Sequence, residues 1–375
     1  MLEKEIVIIG AGPAGLSASI EASRAGAKVL IVDSNIKPGG QLFKQIHKFF
    51  GSSAHKSGTR GINIGKDLVS QAEENGVEIW LRSTVIGLFP GNKVGIERGG
   101  DNEKKELITI KAGKIIIATG ASENAVRFKG WTKPGVMGAG AAQTMVNVNY
   151  VRPGNKVVMV GSGNVGLIVS YQLMQAGCEV AALVEAAPKI GGYAVHAAKI
   201  RRAGVPIYVK HTITEVRGKD RVEEVIISEV NEKFEPIHGT EKSIKADVVA
   251  IGAGLKPSIE LARLLNCELT FNPVFGGNIP IHNKDMETSN EGVYIAGDVT
   301  GVEEANTALE EGRIAGISAA NKLGYIDDDT ANINKEEIWK RLKGLRLGPF
   351  GERRLAAKKQ ILDEYETRIG KTICK

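Results

Sequence analysis

The 375 residues, 42% of them hydrophobic, suffice for two domains that each bury a core, and no apolar run approaches the roughly 18 residues that cross a bilayer. The opening "MLEKEIVIIG" lacks the basic start and long apolar stretch of a signal peptide, so a cytoplasmic location is expected. The net charge of +6 lies in residues 331–375, which hold 12 Lys/Arg and 6 Asp/Glu; the rest is neutral, which argues against a nucleic-acid surface on the folded domains.

Ile6 to Ile9 is a short β-branched run suited to a buried parallel strand, and it stops at Gly10-Ala11-Gly12-Pro13-Ala14-Gly15. Gly10 permits a tight turn, Gly12 lets a pyrophosphate approach the backbone, and Gly15 lets the next helix lie close on the strand. The phosphate would then meet free N–H groups at a helix N-terminus. Leu16 to Ala25 reads as that helix, Gly26 closes it, and Lys28 to Val32 is a second strand ending at Asp33, 18 residues past Gly15. A carboxylate there can accept both hydroxyls of a ribose.

The same sequence of parts returns at residue 157. Val157 to Val160 is the strand, Gly161, Gly163 and Gly166 are the glycines, Val180 to Val184 is the next strand, and Glu185 is the acid, 19 residues past Gly166. Each copy continues through short β-rich pieces and ends in an apolar strand closed by Gly, "KIIIATGA" at Lys114 to Ala121 and "DVVAIGAG" at Asp247 to Gly254. The chain is therefore an internal duplication with one dinucleotide per half. Near the end of the second half, Val293 to Ala296 is another buried strand, and Gly297-Asp298 places a carboxylate at its edge, before a helix expected to begin at Glu303 and Glu304. The N-terminal dipole of that helix favours partial negative charge on a nearby ring oxygen by roughly 0.3 to 1 kcal/mol.

These motifs, in this order, resemble the two-dinucleotide-binding-domain flavoproteins of the pyridine nucleotide-disulfide oxidoreductase type, from about Ile6 to Leu323. The resemblance implies an α/β fold of two Rossmann-like (three-layer ββα) dinucleotide-binding domains, the NAD domain inserted into the FAD domain. The expected boundaries are 1–125 plus 280–325 for FAD, 126–279 for NAD(H), and 326–375 as a basic C-terminal extension. It implies FAD contacts at Gly10, Gly12, Pro13, Ala14, Gly15, Asp33, Gly40, Gln41, Val85, Ala118, Thr119, Gly120, Gly297, Asp298 and Asn306. It implies NAD contacts at Gly161, Gly163, Asn164, Val165, Gly166, Glu185 and Gly252. One site would hold the redox cofactor permanently while the other delivers or collects a hydride.

The departures from the family carry as much information. Its disulfide reductases use a cysteine pair, whereas Cys178, Cys267 and Cys374 are far apart and match no disulfide, zinc or iron-sulfur spacing. Thiol-disulfide exchange is not expected, no metal site is expected, and any iron-sulfur carrier would be a separate protein. The stretches "GGQLFKQIHKFFGSSAHKSGTRG" and "VEAAPKIGGYAVHAAKIRRAGVPI" resemble FAD/NAD-binding subunits of multisubunit amine and imino-acid oxidising enzymes. Three readings follow: such a subunit, with a second flavoprotein subunit in a homo- or hetero-oligomer; a free-standing NADH-dependent reductase of a ferredoxin or small acceptor; or a nucleotide-binding, electron-carrying scaffold.

Electron transfer from a nicotinamide to a flavin needs stacked rings and excluded water, not a protein nucleophile, so no catalytic side chain is assigned. His47 and His55 are candidates for a general acid or base because an imidazole is the side chain suited to that role near neutrality, but they are expected to be loop histidines bonded to backbone or water. His196, Lys199, Arg201 and Arg202 offer a phosphate clamp or a solvated helix face, the second being expected. The basic tail reads either as a solvated extension or as a docking element for an acidic partner. At Glu185, a 2′-phosphate about 4 Å away would meet a repulsion of roughly 4 kcal/mol per charge pair at an effective dielectric near 20, so NAD(H) is expected over NADP(H).

Overall fold

The computed structural model describes residues 1–99, 104–348 and 351–370. The first apolar run is the buried half of a longer strand, β1 (Leu2–Ile9), whose first two residues are exposed. The chain continues through α1 (Pro13–Arg24), β2 (Val29–Val32), α2 (Gly61–Glu74), β3 (Glu78–Trp80), β4 (Ser83–Phe89), β5 (Lys93–Arg98) and β6 (Glu106–Ile117). Strands run in the order β3-β2-β1-β6-β5-β4. The β1, β2, β3 and β6 pairings are parallel, and β4-β5-β6 is an antiparallel meander that continues from the first half of β6.

After β7 (Ala121–Glu123), the inserted half comprises β8 (Val136–Gly138), α3 (Ala139–Asn147), β9 (Lys156–Val160), α4 (Asn164–Gln175), β10 (Glu179–Glu185) and α5 (Ala194–Arg202). There follow β11 (Ile207–Val209), β12 (His211–Arg217), β13 (Glu224–Glu229), β14 (Lys242–Lys245) and β15 (Val248–Ile251). A parallel sheet of order β11-β10-β9-β15-β8 is backed by an antiparallel β12-β13-β14 sheet. The chain then passes through β16 (Leu255–Pro257), α6 (Glu260–Leu264), β17 (Leu269–Asn272), β18 (Gly277–Pro280), β19 (Val293–Ile295), α7 (Ala305–Lys322), α8 (Asp328–Leu345) and α9 (Glu352–Tyr365). β19 pairs in parallel with the end of β6, Ile295 opposite Ile117, so the chain returns to the first sheet.

Alternation along each strand builds the layers. Ile6, Ile8, Ile31, Ile116 and Tyr294 face α1, α2, α7 and α8, while Val7, Ile9, Val32, Ile115, Ile117 and Ile295 face the meander residues Leu88, Val94 and Ile96. The second half repeats this. Val157, Met159, Leu183 and Ala250 pack on α3, α4 and α5, and Val158, Val160, Val184 and Ile251 pack on Ile213, Val225 and Ile227.

The chain divides into one compact unit of Met1–Ser122 with Lys256–Lys375 and another of Glu123–Leu255. Residues 256–279 and the described part of 326–375 therefore lie with the first unit, whereas the sequence pattern groups the former with the second half and sets the latter apart. The reason is local. α9 buries Ala357 and Ile361 against Phe275 and Ile279, and α8 buries Ala331, Ile338 and Leu342 in the helical layer of the first unit. Among the described residues no helix is long and apolar enough to cross a membrane.

Candidate functional site: two glycine turns

Register brings the ends of β1, β6 and β19 to one edge, because Ile9 pairs Ile117 and Ile117 pairs Ile295. Gly10, Ala118 and Ala296 leave the sheet there. Gly10 has φ of +110°, and a Cβ on it would lie 2.3 Å from the Ala118 carbonyl oxygen, so only glycine fits. A Cβ on Gly15 would lie 1.9 Å from the Gly10 oxygen, which is why α1 can sit so close. Gly12 differs. A Cβ there meets nothing within 4 Å, so its bareness serves no protein contact and leaves room for a ligand at the N-terminus of α1.

Pro13 opens α1 at a position whose missing N–H costs nothing. Gly40 crosses beside Gly12, where a Cβ would come within 2.8 Å of the Gly12 Cα, and Gln41 next to it is exposed. Asp33 is buried at the end of β2; its Oδ2 accepts the Ala11 N–H (2.6 Å) and its Oδ1 accepts Asn35 N–H (2.7 Å) and Asn35 Nδ2 (2.8 Å). Ser83 donates its N–H to the Asp33 carbonyl, which starts β4 beside the acid with Val85 two residues on. Thr119 Oγ1 donates to the Ser258 carbonyl (2.8 Å), and Gly120 turns with φ of +70°.

Gly297 (φ +78°) packs so tightly that a Cβ would lie 2.9 Å from the Ala14 Cβ. It carries Asp298 to the same edge. Burial pushes the Asp298 carboxyl up to about 7, the Glu303 N–H pulling it back and the charges of Glu311, Glu303 and Glu304 adding to the rise, although the residue as a whole is only half-buried. α7 starts at Ala305, with Glu304 as its N-cap, two residues later than expected. Asn306 is buried; its Nδ2 donates to the Phe50 carbonyl (3.3 Å) while its Oδ1 has no protein partner. That orphaned acceptor, the bare Gly12 and the polar carboxylates at the edge fit the pyrophosphate and polyol of a flavin dinucleotide.

Behind the Gly297 turn lies a buried ion cluster that the sequence pattern does not announce. Glu311 on α7 accepts the Gly297 N–H (3.2 Å) and the Thr300 hydroxyl (2.7 Å) on Oε2, and meets Arg346 (2.8 Å) and Lys358 (3.0 Å) through Oε1. Burial alone would raise this carboxyl, but the Lys358 and Arg346 cations outweigh it and hold it at about 2. Arg346 also grips Glu303, and Lys358 donates to Thr300 Oγ1 (3.0 Å). His282, fully buried beside them, is pushed down to about 3 by burial and then by the Lys358 charge. One residue back, Glu310 accepts from His55 (3.0 Å), Arg313 (2.8 Å) and Arg341 (2.8 Å); burial opposes its ionisation, yet these partners hold it at about 2. Four cations of the C-terminal stretch, Lys335, Arg341, Arg346 and Lys358, are thus committed to acids of the same unit, which corrects the picture of a solvated tail. A signal that could have pointed to it is the pair of adjacent glutamates inside the small, apolar helix "ANTALEEGRIAGISAA", since acids buried there require cations.

The second turn repeats the backbone contacts of the first. Gly161 has φ of +102° and a Cβ on it would lie 2.3 Å from the Gly252 oxygen; one on Gly166 would lie 2.1 Å from the Gly161 oxygen; one on Gly163 meets nothing within 4 Å. Gly252 N–H donates to Val160 (2.7 Å) as Ala118 N–H donates to Ile9 (2.9 Å). Glu185 Oε2 accepts the Ser162 N–H (2.8 Å) and hydroxyl (2.5 Å), and its Oε1 accepts the Ala187 N–H (2.8 Å). Asn164 Oδ1 accepts the Tyr193 N–H (2.9 Å), tying the following loop to the turn. Val165 is exposed (40%), whereas its counterpart Ala14 is not (5%).

His55 is buried and bonded to side chains, Ser52 Oγ (2.9 Å) and Glu310, because the buried Glu310 requires donors; His47 stacks on Phe49 with ring centroids 6.1 Å apart. His196 is buried on α5, not on a solvated face, and burial, then Lys199, lowers its pKa. Lys199 lies over the Tyr171 ring (5.3 Å), while Arg201 and Arg202 are exposed in the last turn of α5. Cys178 and Cys267 are free and buried, and burial raises both thiols, which makes them poor nucleophiles. Cys374 lies outside the described residues.

The model of the pyridine nucleotide-disulphide oxidoreductases matches residues 4–312. An opine oxidase subunit of Agrobacterium tumefaciens (strain Ach5) is 29% identical, over 88% of this chain and 68% of the relative. The alpha subunit of sarcosine oxidase from Corynebacterium sp. (strain P-1) is 28% identical, over 86% of this chain and 33% of the relative. The chain spans only part of the length of these relatives. Of solved structures, L-proline dehydrogenase from P. horikoshii has a TM-score of 0.68 at 22% identity, over 90% of this chain and 59% of that one. Thioredoxin reductase of T. acidophilum has 0.67 at 24%, over 86% of this chain and 99% of that one. Both share the fold of two nucleotide-binding halves. With the duplicated turns and the return of β19 to the first sheet accounted for, this chain belongs to the pyridine nucleotide-disulphide oxidoreductase family of FAD-binding flavoproteins.

Proposed function

We propose that the chain is an FAD-dependent oxidoreductase that retains FAD at the Gly10–Gly15 turn, exchanges electrons with NAD(H) visiting the Gly161–Gly166 turn, and serves as one subunit of an amine or imino-acid dehydrogenase. When bound, FAD supplies chemistry that links two-electron donors to one-electron acceptors. The observation that carries the reading is the pair of turns itself: each leaves open space at its central glycine and each ends at a carboxylate, yet one is covered and the other open. On the first, Gly12 and the α1 N-terminus hold phosphate, Asp33 holds ribose, and Asp298 and Asn306 hold the polyol. On the second, Gly163 admits phosphate and Glu185 accepts from ribose, its charge disfavouring a 2′-phosphate.

The wide spacing of the three cysteines in the sequence, and the burial of the free Cys178 and Cys267 among the described residues, support an acceptor other than a disulfide. The relatives are named as subunits of opine oxidase, of sarcosine oxidase and, in Pseudomonas aeruginosa, of hydrogen cyanide synthase, and these names support a multisubunit enzyme. The proposed partners are a second flavoprotein and a separate iron-sulfur carrier.

The test is an anaerobic titration of the purified yellow protein with NADH, NADPH, sarcosine, proline and simple opines. NADH should bleach the flavin, and an amine should do so only when the second flavoprotein is present. Bleaching by NADPH as readily as by NADH would refute the assignment of Glu185, and bleaching by neither would refute the electron-exchanging role of the second turn.

A further inference from the structure

The two carboxylates that end the glycine units hold the same number of donors but draw them from different places. Both accept the N–H of the residue between the first two glycines, Ala11 or Ser162, and the N–H two residues beyond the acid, Asn35 or Ala187. The third donor differs. For Asp33 it is the Asn35 side chain, downstream of the strand; for Glu185 it is the Ser162 hydroxyl, from inside the glycine turn. Ala11 has no hydroxyl to offer.

Ser162 is fully buried, and its Oγ also accepts the Gly191 N–H (3.0 Å), so the hydroxyl hydrogen is directed at Glu185. An ionised carboxylate has about four acceptor positions. In Glu185, Oε2 takes both Ser162 donors and Oε1 takes the Ala187 N–H, which leaves one position, on Oε1. In Asp33 the crowded oxygen is Oδ1 and the open one is Oδ2. A glutamate has one more rotatable bond than an aspartate, so a further anchor is what keeps its charge in a defined place. That anchor also decides which oxygen faces a ligand.

We propose that Ser162 is the specificity-positioning residue of the second nucleotide site: its hydroxyl fills Glu185 Oε2, leaves Oε1 to accept one ribose hydroxyl, and pins the negative charge where a 2′-phosphate would otherwise sit. The proposal rests on the reading of the second turn as an NAD(H) site. On this reading Glu185 accepts one ribose hydroxyl rather than two, since three of its acceptor positions are already taken. Discrimination between NAD and NADP then belongs to the Ser162–Glu185 pair and not to the glutamate alone.

The experiment is calorimetric binding of NAD+ and NADP+ to the FAD-loaded wild type, Glu185→Gln and Ser162→Ala, the oxidised nucleotides being used so that no turnover intrudes. The wild type should prefer NAD+, and Glu185→Gln should lose most of that preference. Ser162→Ala should weaken NAD+ binding while leaving NADP+ unchanged or tighter, narrowing the ratio roughly tenfold, the equivalent of about 1.4 kcal/mol. If Ser162 only braces the Gly191 loop, both nucleotides weaken together and the ratio stays, which overturns the proposal; complete loss of both does the same. A wild type without preference for NAD+ sinks the reading of Glu185 itself. A preference lost in Glu185→Gln but kept in Ser162→Ala sinks the role of Ser162 alone.

Discussion

The Gly10–Gly15 and Gly161–Gly166 turns are nearly superposable in their backbone demands, yet their surroundings diverge. At the first, the Gly297 turn and α7 press onto α1: a Cβ on Gly312 would lie 2.1 Å from the Ala14 oxygen, and one on Gly316 2.2 Å from the Ala18 oxygen. Glu311 then locks the Gly297 turn to Arg346 and Lys358 from the C-terminal helices. At the second, the residue equivalent to Ala14 is the exposed Val165. The same local sequence therefore builds the same glycine turn, and on the proposed function what surrounds it is what separates a cofactor that stays from one that leaves.

The comparison breaks most sharply at the central glycines. Gly12→Val should abolish FAD retention, and Gly163→Val should leave FAD bound while abolishing NAD(H) binding. Neither Cβ meets protein, so the melting temperature of the flavin-free protein should barely move in either variant. Flavin content by absorbance and NAD+ binding by calorimetry read the two arms; full FAD in Gly12→Val contradicts the first assignment.

Lys358→Met attacks the covering of the first turn without touching the second. It strips one of two cations from the buried Glu311 and the donor from Thr300, a change that costs roughly 3 kcal/mol when a buried ion pair is broken on one side. Urea denaturation should register that loss, and flavin should be released faster, while NAD+ affinity is preserved. Unchanged stability would show that the cluster does not hold the turn.

A smaller effect sharpens the same contrast through pH. Asp298, pushed up to about 7, keeps its proton in the folded chain at pH values where the unfolded chain, with a carboxyl near 4, has lost it. Stability is therefore lost as pH rises across that window, by at most about 1.4 kcal/mol per pH unit, and less here because the residue is only half-buried. Glu310 and Glu311, held at about 2, act in the opposite sense: their contribution is present above about 4.5 and is lost as pH falls toward 2. Asp298→Asn should gain on the wild type steadily between pH 4.5 and 7 in urea midpoints. A constant difference would contradict the raised carboxyl.

The turns and their strands were legible because glycine spacing and β-branched runs are local signals, whereas the return to the first sheet was expected from the family resemblance. Asp33 and Glu185 were found by distance along the chain alone. The ion cluster was not, since its members, from His55 to Lys358, are brought together only by tertiary packing. Net charge misled for the same reason: a basic tail looks solvated until its acids, Asp285, Glu303, Glu310 and Glu311, are seen to lie elsewhere in the chain. Ser162 was hidden by its ordinary place in "GSG", where nothing in the spacing marks the hydroxyl as a ligand of Glu185.

The central claim, that one turn retains its nucleotide and its twin exchanges, is tested most directly by stoichiometry. The protein is saturated with FAD and NAD+, passed rapidly through a desalting column, and its bound nucleotides are released and counted by chromatography. One FAD per chain with almost no NAD+ is the predicted result. Retention of both nucleotides would make the second turn a structural site, and loss of FAD together with NAD+ would show that the covering of the first turn by α7 and the Glu311 cluster does not serve to hold it.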